Sequence, residues 1–194
     1  MATVREGAAS VLVVVDVQVG VVESAWERDR VVRNVARAVE RARAQGVPVV
    51  WVQHGDDDLP CGSDAWQWVP ELRPAEGETL VHKRFNSAFE DTELEQVLAR
   101  LGATHVVLAG AATNWCIRAT AYGALERGYD LTLVKDAHTT KPIDLGEGNA
   151  IDAAHLVTDL NIAIQWLAYP GRVNAIAAAE DVDYGRNQAL PTTK

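Results

Sequence analysis

The chain has 194 residues, of which 48% are hydrophobic and 23% charged, and its formal net charge is −9 at pH 7. This length and composition are typical of one globular domain with a sizeable hydrophobic core. The negative net charge argues against a protein that binds nucleic acid or an anionic membrane surface, because the phosphates of both would repel it.

The first half of the chain alternates between strand and helix patterns. A Val-rich run at 10–18 predicts a buried strand, and apolar residues at helical spacing predict a helix over 26–46 that ends at Gly46. A second buried strand is expected at 47–54. Residues 55–78 are rich in Pro, Gly and Asp, so we expect a long loop with at most a short helical turn. Loops of this length are usually functional or interfacial.

The second half continues the same alternation. A third strand is expected at 79–83, followed by a helix over 91–102 with Thr92 as its N-cap and Glu95 as the capping-box partner. The remaining elements are predicted, in chain order, as a strand at 105–110, a helix at 115–127 that ends at Gly128, a strand at 130–136, a helix at 147–168 and a strand at 172–179.

This order of elements predicts the fold class. Strands that alternate with helices form βαβ crossovers, so we expect a doubly wound α/β domain in which helices cover both faces of about six parallel strands. This three-layer α/β/α core should span about residues 8–182, and the polar tail at 183–194 should be loosely held. In such sheets ligands bind at the carboxyl ends of the strands.

Three ionisable residues occupy the carboxyl ends of predicted strands. Asp16 ends the first strand, Lys83 ends the third, and the segment GAATNWC carries the fourth strand into Cys116 at the start of a helix. Each residue alone has a structural explanation, because a carboxylate can cap a helix, a lysine can be solvated, and a cysteine can pack as a small hydrophobic residue. Together, at one edge of a sheet, they form a candidate catalytic site.

Four segments of the chain resemble the isochorismatase-like cysteine hydrolases, a superfamily that includes nicotinamidases and N-carbamoylsarcosine amidase. They are VVVDVQ at 13–18, KRFNSAFEDTELEQVL at 83–98, GAATNWCIRATAYGALERGYDLTLVKDAHTT at 110–140 and YPG at 169–171. Each segment alone is a weak signal, but their combination is specific. The resemblance implies the fold described above and a catalytic triad of Asp16, Lys83 and Cys116.

The resemblance and the chemistry of these residues together assign roles. Cys116 would attack as a thiolate, which a helix N-terminus and the positive charge of Lys83 would favour. Asp16 would accept the thiol proton and pass it to the leaving nitrogen. By the resemblance, the backbone N–H groups of Ala112 and Cys116 form an oxyanion hole, and the Ala111–Ala112 peptide bond is cis.

The predicted substrate pocket and metal content also follow from the resemblance. Nicotinamidases of this superfamily bind a metal ion through an Asp-x-His element, whereas this chain reads VQHGDDDLP at 52–60. We therefore expect no metal ion and no other cofactor. We expect the substrate to contact Gln18, His54, Trp66 and Trp115. The alternatives are that His54 lies at the edge of the core and that the tryptophans pack in the core or in a subunit interface.

The leading functional prediction is a metal-independent cysteine hydrolase that cleaves an amide or lactam bond of a small molecule through a thioester on Cys116. The acidic residues Asp56, Asp57 and Asp58 follow the second strand and would steer a cationic substrate towards the active edge. A streptothricin-type lactam, one substrate class of the superfamily, would fit. The alternative is that these acids only solvate a loop.

Three other functions stay open. They are an isochorismatase-type vinyl ether hydrolase, a nicotinamidase-like metal-dependent amidase, and a non-catalytic binding protein on the same fold. Cys116 favours amide cleavage, because vinyl ether hydrolysis needs no thiol nucleophile. The intact set of Asp16, Lys83 and Cys116 argues against the binding protein.

Compartment and assembly are also predicted. Two cysteines are too few for a disulfide framework, and no segment has the pattern of a signal peptide or a membrane span, so we expect a cytoplasmic protein with free thiols. Cys61 lies in the long loop and is expected to have no catalytic role. The resemblance implies a homo-oligomer, a dimer or tetramer, with 55–78 and 147–168 as candidate contact surfaces.

Overall fold

The computed structural model describes residue 2 and residues 6–185 of the chain. In chain order the elements are β1 (Ala9–Val15), α1 (Val19–Val22), α2 (Arg28–Ala44), β2 (Val49–His54), β3 (Thr79–Lys83), α3 (Leu94–Arg100), β4 (Ala103–Ala111), a π turn (Thr113–Ile117), α4 (Arg118–Glu126), β5 (Asp130–Thr139), β6 (Ile143–Gly146), β7 (Asn149–Ile151), α5 (Ala153–Trp166) and β8 (Asn174–Ala177). Six strands pair in parallel in the order β3-β2-β1-β4-β5-β8. The predicted doubly wound α/β fold is confirmed.

The central strand β1 is buried on both faces, which explains why it is an almost continuous apolar run. Val11, Val13 and Val15 of β1 face one core cluster, which also contains residues of α3, α4 and α5. Leu12 and Val14 of the same strand face a second cluster, which contains the apolar side of α2. All five side chains are fully buried, so each face of β1 lies against a layer of helices.

A glycine brings the carboxyl ends of β1 and β4 together. Gly110 pairs with Val15 in the parallel ladder, and its φ of 128° is one that only glycine adopts readily. A Cβ atom at this position would lie 2.0 Å from the carbonyl oxygen of Val15. The close approach of these two backbones places Asp16 directly beside the segment that leads to Cys116.

The segment 147–168 was predicted to be mostly helical, and its first turn and a half is not helical. Residues Ile143–Gly146 and Asn149–Ile151 pair instead as the antiparallel hairpin β6-β7, and α5 begins only at Ala153. Both glycines of the hairpin turn, Gly146 and Gly148, have positive φ values of 80° and 78°, which a helix does not accommodate. The hairpin is mostly exposed, so its sequence carries no pattern of burial.

Several boundaries differ from the prediction at the ends of elements. β1 ends at Val15, so Gln18 lies outside the strand and forms an isolated bridge with Trp68. The helix expected at 91–102 is the shorter α3, and the Thr92 hydroxyl accepts the N–H of Leu94 at 3.2 Å. The helix expected from residue 115 begins with the π turn, which includes Cys116.

The chain end and the exposed surface add three observations. Tyr184 lies within the segment expected to be loose, yet it is buried and its hydroxyl donates to the carbonyl of Ala38 at 2.9 Å; residues 186–194 of that segment lie outside the described part of the chain. Among the described residues, no helix has the length and apolar character needed to cross a membrane. Helix α5 exposes Ile162 and Trp166, and assembly through it stays a prediction.

Candidate active site

Three side chains from distant parts of the sequence meet at the carboxyl edge of the sheet. The ammonium nitrogen of Lys83 lies 2.7 Å from Oδ2 of Asp16 and 3.2 Å from Sγ of Cys116. Asp16 follows β1, Lys83 ends β3, and Cys116 lies in the π turn after β4. The structure therefore brings the predicted catalytic residues together at hydrogen-bonding distance.

The surroundings of Lys83 fix the position of its ammonium group. Besides Asp16 and Cys116, the nitrogen lies 3.1 Å from the carbonyl oxygen of Phe85 and 3.2 Å from Nδ1 of His54. The side chain itself has no exposed surface. A buried lysine needs partners of this kind, because an unpaired ammonium group is costly to remove from water.

The charges in this cluster shift the pKa values of its members. Burial raises the pKa of the Asp16 carboxyl, and the nearby Lys83 ammonium only partly offsets that rise. Burial alone would lower the pKa of Lys83, but the negative charge of Asp16 and the interaction with Cys116 raise it above its ordinary value. Lys83 is therefore a permanent cation, whereas Asp16 is a better proton acceptor than an exposed carboxylate.

The protonation of Cys116 depends on opposing influences of burial, Asp16 and Lys83. Burial raises the pKa of the Cys116 thiol to about 12, and the negative charge of Asp16 adds to the rise, while Lys83 only partly offsets it. Burial and the Asp16 carboxylate together outweigh Lys83, so the thiol proton has to pass to Asp16 for the sulfur to attack. In the resting site the Cys116 thiol is protonated, and the Asp16 carboxylate beside it can accept that proton.

The backbone around Cys116 has the form that the resemblance implied. The Ala111–Ala112 peptide bond is cis, and Ala112 immediately precedes the π turn. The carbonyl oxygen of Ala112 accepts the N–H groups of Trp115 and Ile117, both at 3.1 Å, which ties the turn to the end of β4. The use of the Ala112 and Cys116 N–H groups as an oxyanion hole stays a prediction.

A buried histidine anchors the start of the π turn. Nδ1 of His138 lies 2.9 Å from the hydroxyl of Thr113, and its Nε2 lies 3.1 Å from Oδ1 of Asn161. The Asn161 amide nitrogen donates to the carbonyl of Lys135, so Oδ1 must accept from His138. His138 is thus a neutral ring whose Nδ1 accepts a hydrogen bond from the Thr113 hydroxyl. No role was predicted for His138, although it lies within the motif DAHTT at 136–140.

Gln18 has a different environment from the one predicted. Its amide nitrogen donates to the carbonyls of His54 and Trp66, both at 2.9 Å, and its Oε1 accepts the N–H of His54 at 2.8 Å. The side chain is fully buried. Gln18 therefore holds the end of β2 and the long loop in place, rather than presenting free polar groups to a substrate.

His54 lies within the cluster rather than at its periphery. It ends β2 and pairs with Lys83 in the parallel register, so both side chains leave the sheet at the same edge. One ring nitrogen faces Lys83, and the other, Nε2, lies 2.7 Å from Oδ2 of Asp56. The ring side chain is 17% exposed, so a substrate could reach only part of it.

The segments that carry Cys116 and Lys83, and the long loop after β2, also carry aromatic and amide side chains. Trp115 precedes Cys116 and is 55% exposed, and Phe85 is 52% exposed beside Lys83. The amide oxygen of Asn86 lies 3.9 Å from Sγ of Cys116. Trp66 is half-buried and stacks on His82 with ring centroids 5.8 Å apart. Phe85 and Asn86 were missed by the sequence analysis, since nothing in their spacing marks them.

A cleft opens beside the buried cluster, along the outer edge of the sheet. Its volume is about 440 Å³, and it is lined by Gln53, Gly55, Asp56, Asp57, Cys61, His82, Lys83, Arg84 and Asp91. The exposed Cys61 lines this cleft together with Lys83, and its lack of a catalytic role stays a prediction. Among the residues that the structure describes, no group of three or more His, Cys, Asp or Glu side chains could hold a metal ion. Metal-independent chemistry stays a prediction.

Comparison with known proteins identifies relatives of the chain. The profile of the isochorismatase domain matches residues 10–160. The chain is 37% identical over 146 residues to a streptothricin hydrolase of Streptomyces noursei, and the match covers 71% of this chain but only 57% of that protein. It is 30% identical over 158 residues to the secreted isochorismatase effector Isc1 of Verticillium dahliae, with 76% of this chain and 79% of that protein covered.

The same relationship extends to solved structures. The crystal structure of an isochorismatase from Pseudomonas putida KT2440 is similar with a TM-score of 0.77 at 26% identity, and the match covers 91% of this chain and 93% of that one. The domain profile covers most of the chain, from β1 into α5. The chain therefore belongs to the isochorismatase family of hydrolases.

Proposed function

We propose that this hydrolase cleaves the C–N bond of a small amide or lactam through a thioester on Cys116. The observation that carries the proposal is the position of the Lys83 ammonium group, 2.7 Å from Asp16 and 3.2 Å from Cys116. A thiol with a carboxylate base and a cation beside it can be activated as a nucleophile. The cluster lies at the sheet edge where α/β folds bind ligands.

The first step forms the thioester. Asp16 takes the thiol proton of Cys116 as Sγ attacks the carbonyl carbon, so the free thiolate of a buried group need not accumulate. The new C–S bond and the oxyanion form together, and the oxyanion is held by the N–H groups of Ala112 and Cys116. Collapse of this intermediate breaks the C–N bond, and Asp16 returns the proton to the departing nitrogen.

The second step regenerates the enzyme. Once the amine or ammonia has left, or the nitrogen of an opened lactam ring has separated from the carbonyl, the Asp16 carboxylate takes a proton from a water molecule that attacks the thioester carbonyl. The C–S bond breaks, the product leaves as a carboxylic acid, and the sulfur regains a proton. Lys83 stays protonated throughout, because its role is to stabilise the negative charge that moves between Asp16 and Cys116.

A cationic substrate is the class that the surroundings of the site favour. Asp57 and Asp58 are exposed on the loop that follows β2, and Asp57 and Asp91 line the cleft beside Lys83. The relative that acts on streptothricin supports a lactam of this class. Asp57→Asn/Asp58→Asn should lower kcat/KM for a cationic amide about 10-fold at low ionic strength, and much less at high salt. An unchanged kcat/KM at low salt would end the steering proposal.

One observation favours a second function. Burial raises the pKa of Asp16, and a carboxyl group that holds its proton can act as a general acid, which isochorismatase-type vinyl ether hydrolysis requires. That reaction does not use the thiol. Cys116→Ala would abolish amide hydrolysis and leave vinyl ether hydrolysis largely intact, so this one variant separates the two functions.

The experiment that tests the leading function is a substrate panel. Linear amides and carbamoyl compounds, each in neutral and cationic form, would be assayed for release of ammonia or amine. Cyclic amides would be assayed for ring opening, which adds one water molecule to the mass of the substrate. The proposal expects turnover of at least one class by the wild-type enzyme and a loss of at least about 1,000-fold in Cys116→Ala. Turnover that survives in Cys116→Ala would contradict it.

A further inference from the structure

We infer that His54, held by Asp56, is a positioning residue that fixes the ammonium group of Lys83 between Asp16 and Cys116. The inference rests on the proposed amidohydrolase activity for its kinetic consequence, but not for its structural content. His54 lies 3.2 Å from the Lys83 nitrogen through Nδ1 and 2.7 Å from Asp56 through Nε2. Asp56 thereby extends the buried cluster to the surface loop.

The direction of each hydrogen bond follows from the chemistry of Lys83. An ammonium group has three donors and no acceptor, so a neighbouring ring nitrogen can only accept from it. Nδ1 of His54 therefore carries no proton, and the ring proton of neutral His54 lies on Nε2. From there it donates to the carboxylate of Asp56, whose Oδ2 is the acceptor. Asp56 thus stabilises the His54 tautomer with its proton on Nε2, in which Nδ1 can accept a hydrogen bond from Lys83.

The Asp56 carboxylate is itself fixed in orientation. Its Oδ1 accepts the backbone N–H groups of Asp58 at 3.0 Å and Leu59 at 2.8 Å. Only Oδ2 is left to face His54. On the other side, Gln18 holds the backbone of His54 through both its N–H and its carbonyl. The ring is therefore constrained at both nitrogens and at its main chain.

These contacts matter because the Lys83 ammonium has four acceptors around it and only three protons. Its bonds to Asp16 and Cys116 serve the chemistry, and those to His54 and the carbonyl of Phe85 hold it in place. If the His54 acceptor is lost, the Phe85 carbonyl is the one contact, among those described, that still holds the ammonium group in place. The ammonium group then moves away from the geometry that supports attack, and kcat falls more than KM rises.

Substitutions at His54 and Asp56 separate this role from a general structural one. His54→Ala removes the acceptor and should lower kcat about 10-fold to 100-fold, by analogy with the hydrogen-bonding partners that orient metal ligands. His54→Asn places an amide oxygen near the position of Nδ1, so it should recover most of that loss. A merely structural histidine would not show this selective recovery.

Asp56→Asn gives the sharper test, because it should reverse the tautomer. The asparagine Oδ1 is retained by the N–H groups of Asp58 and Leu59, so its NH₂ group must face Nε2 of His54. Nε2 then becomes an acceptor, and the ring proton moves to Nδ1, where it opposes the Lys83 ammonium. We expect Asp56→Asn to be at least as inactive as His54→Ala. Adding His54→Asn should restore activity, since the ring that carries the misplaced proton is then gone.

The closing experiment reads the tautomer directly by ¹⁵N NMR of histidine and compares it with kcat. In the wild-type protein we expect the His54 proton on Nε2, and in Asp56→Asn on Nδ1. Asp57→Asn removes the same charge from the same loop and should keep the Nε2 proton. A wild-type proton on Nδ1, or a kcat for His54→Ala within 2-fold of wild type, would overturn the inference. If no amide is hydrolysed at all, the proposed function fails, while the tautomers still test the contact.

Discussion

The ammonium nitrogen of Lys83 lies 2.7 Å from a carboxylate oxygen of Asp16, and neither side chain exposes more than 1% of its surface. Two opposite charges removed from water are tolerated only as a pair, because each alone would bear an uncompensated desolvation cost. The pair therefore links stability and activity at one position. Replacing either residue alone leaves the other buried and unpaired, which should lower the free energy of unfolding.

Lys83→Met should destabilise the protein more than the double substitution that removes both charges. The single variant leaves the Asp16 carboxyl buried without its cation, and we expect a loss of about 3 kcal/mol in the free energy of unfolding at pH 7. Asp16→Asn/Lys83→Met should recover more than half of this loss while remaining inactive. Urea denaturation measures both values. A double variant that is no more stable than Lys83→Met would show that the charges do not depend on each other.

Asp16→Asn should make Cys116 more reactive towards iodoacetamide although it abolishes turnover. The Asp16 charge helps to raise the pKa of the thiol, and without it the thiolate pairs with Lys83 alone. We expect wild-type Cys116 to be alkylated more slowly at pH 7.5 than the exposed Cys61, and the rate at Cys116 to rise about 10-fold in Asp16→Asn. Mass spectrometry of the two cysteine peptides gives both rates, with Cys61 as the internal reference. A slower Cys116 in the variant would refute this account of its charge.

His138 should make the protein less stable in mild acid. Burial lowers its pKa from 6.5 to about 4, while the hydrogen bond to Asn161 acts in the opposite direction. Between these values the unfolded chain binds a proton that the folded protein does not, so the stabilisation is complete above pH 6.5 and is lost as pH falls towards 4. The free energy of unfolding should fall by about 2 kcal/mol from this group between pH 7 and pH 5. His138→Gln should be less stable at pH 7, but its free energy of unfolding should lack this part of the pH dependence. If the pH dependence is the same in the variant, it arises from other groups.

Gly110→Ala should be among the most damaging small substitutions in the chain. The added methyl would lie 2.0 Å from the carbonyl oxygen of Val15, and the backbone φ of 128° disfavours any side chain. We expect a loss of about 3 kcal/mol or more in the free energy of unfolding. Gly46→Ala is the matched control, because Gly46 also has a positive φ but nothing within 4 Å of its added Cβ, and it should cost about 1 kcal/mol. Equal losses at the two positions would mean that the close approach to β1 is unimportant.

The fold and the meeting of Asp16, Lys83 and Cys116 were predictable because they depend on local patterns. The central strands β1, β2 and β4 are buried and largely apolar, and βαβ connections force the strands to be parallel, so residues at their carboxyl ends lie at one edge. The contact of His54 with Lys83 had the same signal, since each residue ends its strand. The hairpin at 143–151 had none, because its side chains are exposed and follow no burial pattern.

The protonation state of Cys116 could not be predicted from the sequence. A strand-to-helix junction and a lysine both point to a thiolate, but the outcome depends on burial and on the distance to Asp16, which only the packed structure defines. Gln18 was misjudged for a related reason. Its neighbours in space, His54 and Trp66, are 36 and 48 residues away in the chain, so its use as an internal support was invisible.

The most direct test of the central claim is the mass of the enzyme during turnover. The amide hydrolysed fastest in the substrate panel would be mixed with the enzyme, quenched in acid within milliseconds to seconds, and digested for mass spectrometry. The account predicts an acyl group on the peptide that contains residue 116, present in wild type and absent from Cys116→Ala. Steady hydrolysis with no acyl group on that peptide, together with an active Cys116→Ala enzyme, would contradict it.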